Sequence, residues 1–243
     1  MTGTVLNIIA VLIGGSVGTI LGNRLPAKVQ ETVMHGLGLM VLVIGVVMAS
    51  GTGNVLIPLF SVVAGGIFGE LIRIEDGLNW LGKQAEARWG GALGKGRVAG
   101  WSVTQAFVTS SLIFCVGPMT ILGSIQDGLI GDYELLAIKS ALDGFAAIPF
   151  AATLGPGVLL SVGTVAFVQG GLSALAMGIG GGLGDISRVT PWVVELTATG
   201  GVIILGIGLS LLELKKIRVA NLLPGIAIAP LIVWLLGVAE IGF

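Results

Sequence analysis

The sequence predicts an all-α, polytopic transmembrane helix bundle of about eight spans. Three observations carry that reading. Of 243 residues, 54% are hydrophobic and only 10% charged, against roughly 25% charged in soluble domains, and mean hydropathy is +1.04. Long apolar runs recur along the chain, each of the length needed to cross about 30 Å of hydrocarbon. The basic residues fall into a few short loops rather than being spread evenly. Eight spans consume most of the length, so residues 1–243 read as a single integral membrane domain with no separate soluble catalytic domain.

The easy spans run at 4–22, 33–50, 54–72, 102–124, 157–181, 192–212 and 219–241. The opening MTGTVLN lacks the basic stretch of a cleaved signal peptide, so the first span reads as uncleaved. The ambiguous segment is 134–155, ELLAIKSALDGFAAIPFAATLG, which has the length but contains Lys139 and Asp143. Each costs about 2.5–3.5 kcal/mol at mid-bilayer on insertion scales. Charge asymmetry decides the matter. Ten of the twelve Lys and Arg lie in three loops, Arg24 with Lys28, Arg73 to Arg97, and Lys215 to Arg218. Short basic loops stay cytoplasmic, and all three do so only if 134–155 crosses. Both termini then lie outside, as do the loops at 51–53 and 125–133, which carry no Lys or Arg. Arg188, in the outer loop 182–191 beside Asp185, is the exception. The polar stretch 74–100 is a cytoplasmic connector, read either as a solvated loop or as an interfacial amphipathic helix.

GLGLMVLVIG (36–45) with Asn54 and Pro58 resembles GGVIILGIG (200–208) with Asn221 and Pro224. In an eight-span topology the copies are inverted, which predicts an inverted repeat of spans 1–3 against 6–8, an architecture of alternating-access transporters. Glycine, 42 residues, is distributed along the helices. Gly14, Gly18 and Gly22, and Gly65 with Gly69, form small-residue stripes suited to close helix packing, within the chain or between copies in a homo-oligomer.

Backbone breaks concentrate in spans 4 and 5, which are expected to be broken helices. Pro118 frees the carbonyl of Phe114 and Pro149 that of Phe145, and unpaired backbone groups in lipid require protein or a wet cavity. The polar side chains gather there too: Thr109, Ser110, Ser111, Cys115, Gly117 and Thr120 in span 4, Lys139, Ser140 and Asp143 in span 5, and Gln169 in span 6. Intramembrane ionisable residues mark functional sites. Lys139 and Asp143, four apart on one helical face, form either a neutralised ion pair or part of a binding site for a small solute or ion. Glu70 and Glu195 are placed nearer interfaces, and Asn7, Asn54 and Asn221 as caps.

Other functions are excluded by absences. With 12 basic against 13 acidic residues there is no surplus to hold nucleic acid. Cys115 is the only cysteine and His35 the only histidine, so neither a metal site nor a cofactor is expected, and nucleophile and metalloprotease motifs are missing. The chain reads as a non-enzyme.

The block FVTSSLIFCVGPMTILGSIQDGLIGDYELLAIKSALDGFAAIPFAATLGPGVLLS (107–161), the opening Gly3, Thr4, Asn7, Gly14, Gly15 and Gly18, and the closing IGLSLLELKKIRVANLLP (207–224) resemble domain-of-unknown-function family 554, the YqgA-like bacterial inner-membrane proteins. The resemblance covers essentially the whole chain. It implies a multi-pass protein of the bacterial cytoplasmic membrane, with suggested roles in transport or biofilm behaviour and no established substrate. The reading that follows is a secondary transporter or ion-coupled permease with its site near mid-membrane between spans 4, 5 and 6. The alternatives are a membrane-embedded sensor or assembly factor and a passive channel.

Overall fold

A computed structural model describes residues 1–22, 24–77, 80, 103–115, 118–179 and 190–238. The helices in chain order are α1 (Thr2–Gly22), α2 (Ala27–Ala49), α3 (Leu56–Leu71), α4 (Val103–Cys115), α5 (Pro118–Leu129), α6 (Glu134–Leu154), α7 (Ser161–Ile179), α8 (Pro191–Leu211) and α9 (Pro224–Val238), with 3-10 turns at Pro156–Leu160 and Val219–Leu222. No strand occurs among the described residues, and the chain is an all-α polytopic bundle. Among the described residues six helices are long and apolar enough to cross a membrane, or up to seven if the bent pair α4–α5, whose axes differ by 63°, is one span.

The remaining apolar helix falls short of a full span. The hydropathic run at 54–72 becomes α3, 16 residues or about 24 Å. Asn54 is spent on the preceding turn, where its backbone N–H donates to Glu195 (3.2 Å) and its Oδ1 accepts from Leu56 N (3.1 Å), so the helix starts at Leu56.

The ambiguous segment 134–155 is a continuous 21-residue helix, α6. The break expected at Pro149 is absent. Pro149 sits inside α6, and the chain turns only at Gly155, with φ 87°, and Pro156. One missing hydrogen bond does not interrupt a helix clamped along its length. Gly144, Ala147, Ile148, Ala151 and Ala152 all lie against α1, and the Thr153 hydroxyl bonds back to the Pro149 carbonyl at 2.8 Å.

The chain divides into two compact units, the first of 1–34 and 81–186, the second of 35–80 and 187–243. In the first, α1 packs parallel to α6 through the glycine stripe. A Cβ on Gly14, Gly18 or Gly22 would meet the carbonyl oxygens of Gly144, Ile148 and Ala152 at 2.0, 2.2 and 2.4 Å. This stripe is therefore filled within the chain. Helix α1 runs antiparallel to α7 and the 3-10 turn before it, with Thr4 beside Gly170 of α7 and Gly15 beside Leu159 of the turn. Phe114 and Phe150 meet edge to face at 6.3 Å in the core. Outward-facing residues are apolar, Phe145 and Phe167 being 76% and 82% exposed, as lipid requires.

In the second unit α2 packs antiparallel to α8 (Gly38 on Leu212, Gly45 on Leu205, Ala49 on Gly201), and α3 antiparallel to α9 (Gly65 on Gly225). The second stripe, Gly65 and Gly69, is thus also consumed internally. Ile57, Ala229 and Val233 form a buried cluster there, with Trp192 packed on it. Two carboxylates fasten its turns. Glu195, 2% exposed, accepts from Thr52 Oγ1 (2.7 Å), Gly53 N (2.8 Å) and Asn54 N. Glu70 accepts from Asn221 Nδ2 (2.5 Å) and pairs with Arg218.

Candidate functional site

The polar centre of the first unit is built on α6. Its lipid-facing side carries Leu142 and Phe145, both exposed, while the opposite side buries Leu136, Lys139, Ser140, Asp143 and Ala147. Lys139 and Asp143 fall on the same face because four residues is about one helical turn. Lys139 Nζ bonds Asp143 Oδ2, and both side chains are nine-tenths buried. The same Oδ2 accepts from Asn7 Nδ2 on α1 at 2.9 Å. An isolated charge at this depth would be prohibitive, so the pair and the amide together keep the centre neutral.

Cys115, at the end of α4, is buried and lies within Coulombic range of both Lys139 and Asp143. Beyond it, the structure answers the question of the freed Phe114 carbonyl: the Thr120 hydroxyl, across the bend, donates to it at 3.3 Å. That carbonyl is therefore partly satisfied by the chain itself. Other hydroxyls in the predicted set bond to their own helices. Ser110 donates to the Ala106 carbonyl (2.7 Å) and Ser140 to that of Leu136 (2.6 Å), the back-bonding common for Ser and Thr in apolar helices. Ser111 pairs with Thr164 of α7 at 2.9 Å, and Thr109 is buried. Gly117 lies outside the described residues, as do Asp185, Arg188 and most of the connector 74–100.

Gln169 on α7 differs from all of these. It is fully buried, and neither Nε2 nor Oε1 has a hydrogen-bond partner. A buried amide left unpaired costs roughly 1–3 kcal/mol, so this residue is the least explained in the unit.

Two residues of the centre were not legible as site residues. Asn7 reads from sequence as a cap, yet it is mid-helix, 0% exposed, and bonded to Asp143. Its position in an apolar run without an adjacent helix end was the available signal. Asp127 reads as an outer-loop acid, yet α5 continues to Leu129 and buries it at 2% exposure. Asp127 accepts from Gly3 N (3.0 Å) and from the Met1 ammonium (2.8 Å), capping α1. Its loop assignment fails because the helix N-terminus it neutralises comes from 124 residues away. The expected site between spans 4, 5 and 6 thus gains α1 as a fourth wall. Among the described residues no three His, Cys, Asp or Glu side chains gather as a metal-binding group.

The sequence has relatives among known proteins. The family model described as "Protein of unknown function (DUF554)" matches residues 2–234. The chain is 27% identical over 240 residues to "Uncharacterized membrane protein YdfK" of Bacillus subtilis (strain 168), covering 97% of each chain. It is 29% identical over 228 residues to "Uncharacterized protein YqgA" of Escherichia coli (strain K12), covering 93% of this chain and 94% of that one. No solved structure matches.

Proposed function

The chain belongs to the DUF554 family, and from that premise we propose that this multi-pass membrane protein is a secondary transporter or ion-coupled permease for a small solute, not an enzyme. The observation that carries the reading is Asp143, a carboxylate buried among apolar helices, shared by Lys139 and Asn7 on a single oxygen. Such a group is expensive to keep in a membrane and is retained where it handles an ion, a proton or a solute.

The helix directions support alternating access. All three helix pairs of the proposed inverted repeat, α1 with α7, α2 with α8 and α3 with α9, run antiparallel in contact, as expected of halves related by an axis in the membrane plane. The parallel packing of α1 and α6 fits an even number of crossings between their starts, and both termini are placed outside the bacterial inner membrane on the distribution of Lys and Arg. Asp143, Lys139, Gln169 and Cys115 are the core of the proposed site, and Ser111, Thr109 and Thr120 its flank. Ser110 and Ser140 act as helix-bonded hydroxyls.

That local bonding favours the second reading, a membrane-embedded sensor or assembly factor whose polar residues sit in a dry helix interface. Reconstituted vesicles separate the two. Wild-type vesicles should accumulate a solute from a labelled metabolite mixture, and Asp143→Asn vesicles should not, although the variant inserts and unfolds cooperatively. Equal uptake by both rejects the role of Asp143.

A further inference from the structure

The unpartnered polar atoms of the first unit form a group of their own beside the ion pair. Thr4 Oγ1, Asn7 Oδ1, Ser124 Oγ and both amide atoms of Gln169 are buried without a hydrogen bond, and the four residues are 0–5% exposed. They come from three helices, and the contacts bring them to one level. Asp127 holds Gly3 N, and Thr4, the next residue, and Ser124, three before Asp127, each lie within about a turn of that contact along their own helices. The Ser173 hydroxyl donates to the Ser124 carbonyl at 2.8 Å, and Gln169 lies one turn before Ser173. A Cβ on Gly170 would touch Thr4 at 3.9 Å, so Thr4 on α1 and the residue after Gln169 on α7 meet at one level. Asn7 is one turn along α1 from Thr4 and ends on Asp143.

Native proteins leave few buried polar atoms unpaired, and those that remain ask for a water or a ligand. Five such atoms on three helices of one unit ask for more than one. We infer that Thr4, Asn7, Ser124 and Gln169 bind a small organic solute of no net charge that carries both donors and acceptors, a zwitterionic amino acid or an uncharged amide. The inference rests on the transport reading and names its substrate class. Two features select this class. The charges beside the group already cancel, Lys139 against Asp143, so a lone cation or anion would bring an unbalanced charge into a low-dielectric interior. The open atoms are also mixed: Gln169 Nε2 can only donate, Asn7 Oδ1 and Gln169 Oε1 can only accept, and the two hydroxyls do either. A bare cation has no use for the donor, and a bare anion none for the acceptors.

The test is thermal unfolding of the purified full-length protein with glycine and the other neutral amino acids, with urea at low concentration, and with sodium chloride as the ionic arm. Binding to the folded form raises Tm. A neutral amino acid or the amide should raise Tm of the wild type and of Thr199→Val, a control for an unpartnered hydroxyl in the second unit. Gln169→Met, which keeps the volume and deletes the amide, should need at least tenfold more solute for the same shift, and Thr4→Val should shift in the same direction. The amino-acid and urea arms tell a zwitterion from an uncharged amide. A Gln169-dependent shift with sodium chloride alone overturns the assignment in favour of an ion, and no shift with any probe overturns it in favour of water only. Uptake that depends on Asp143 alongside no Gln169-dependent binding would sink this inference and leave the transport reading standing. Gln169-dependent binding without uptake would do the reverse.

Discussion

Gly14→Ala should destabilise the protein, whereas Gly171→Ala should not. A methyl on Gly14 would lie 2.0 Å from the Gly144 carbonyl oxygen, 2.9 Å from its carbon and 3.2 Å from the Ala147 Cβ. The first contact overlaps by more than 1 Å and involves backbone, so no rotamer change relieves it. The two helices must part, and Gly18 and Gly22, equally close to α6, lose packing with them. Overpacking costs typically about 1–3 kcal/mol, and more where the backbone cannot yield, while Ala in place of Gly returns roughly 0.5–1 kcal/mol of helix propensity. The net loss at Gly14 is about 2 kcal/mol. At Gly171 nothing lies within 4 Å of the added methyl, so the propensity gain stands alone, about 0.5–1 kcal/mol. The two variants should therefore differ by about 3 kcal/mol, near a hundredfold in the folding equilibrium. Reversible unfolding in mixed detergent micelles measures it, and equal stabilities or the opposite order would refute the α1–α6 packing.

Four further outcomes follow from the structure. Lys139→Met alone should cost about 3–5 kcal/mol by stranding Asp143, and the double variant Lys139→Met/Asp143→Leu should recover most of it in the same unfolding assay. Glu195→Gln should lose about 1–3 kcal/mol, because one amide end must face the Thr52 hydroxyl or the Gly53 and Asn54 N–H groups, and hydrogen exchange at Gly53 should speed up. Half-burial pushes the Glu75 carboxyl above its ordinary value, against the opposing bond to Ala220 and the charges of Arg218 and Lys216. The folded state then holds that proton more tightly than the unfolded chain. The Glu75 contribution to stability should accordingly fall as pH rises from the ordinary carboxylate range through the raised folded value. Glu75→Gln should flatten the curve in that window. In a Cys115→Ala background, cysteines at Ile130 and Leu214, 75% and 69% exposed, should label from opposite sides of the membrane. Labelling from one side only contradicts the crossing order.

Much of the bundle was legible because lipid leaves few options. Apolar runs must be helices, and the glycine stripes at 14, 18, 22 and 65, 69 signal close helix contacts that the structure supplies within the chain. Lys139 and Asp143 were legible as a pair because helical spacing is local. What sequence could not supply were contacts between distant segments. Asn7 meets Asp143 across 136 residues and Gly3 meets Asp127 across 124, and no local pattern announces either. The effect of Pro149 was overestimated because a proline removes one bond regardless of what clamps the helix, and the clamp is on α1. Phe114 shows the complementary error: its carbonyl was freed as expected, but a hydroxyl six residues later takes it up.

Native Cys115 reports most directly on whether the centre beside Asp143 is open to water. It is the only cysteine, it is buried, and it lies within Coulombic range of Lys139 and Asp143. A small, charged, membrane-impermeant methanethiosulfonate should modify it in sealed vesicles while the fold persists, and saturating transported solute should slow the reaction. Modification only by lipophilic reagents, or only after unfolding, would contradict a solute pathway through this centre.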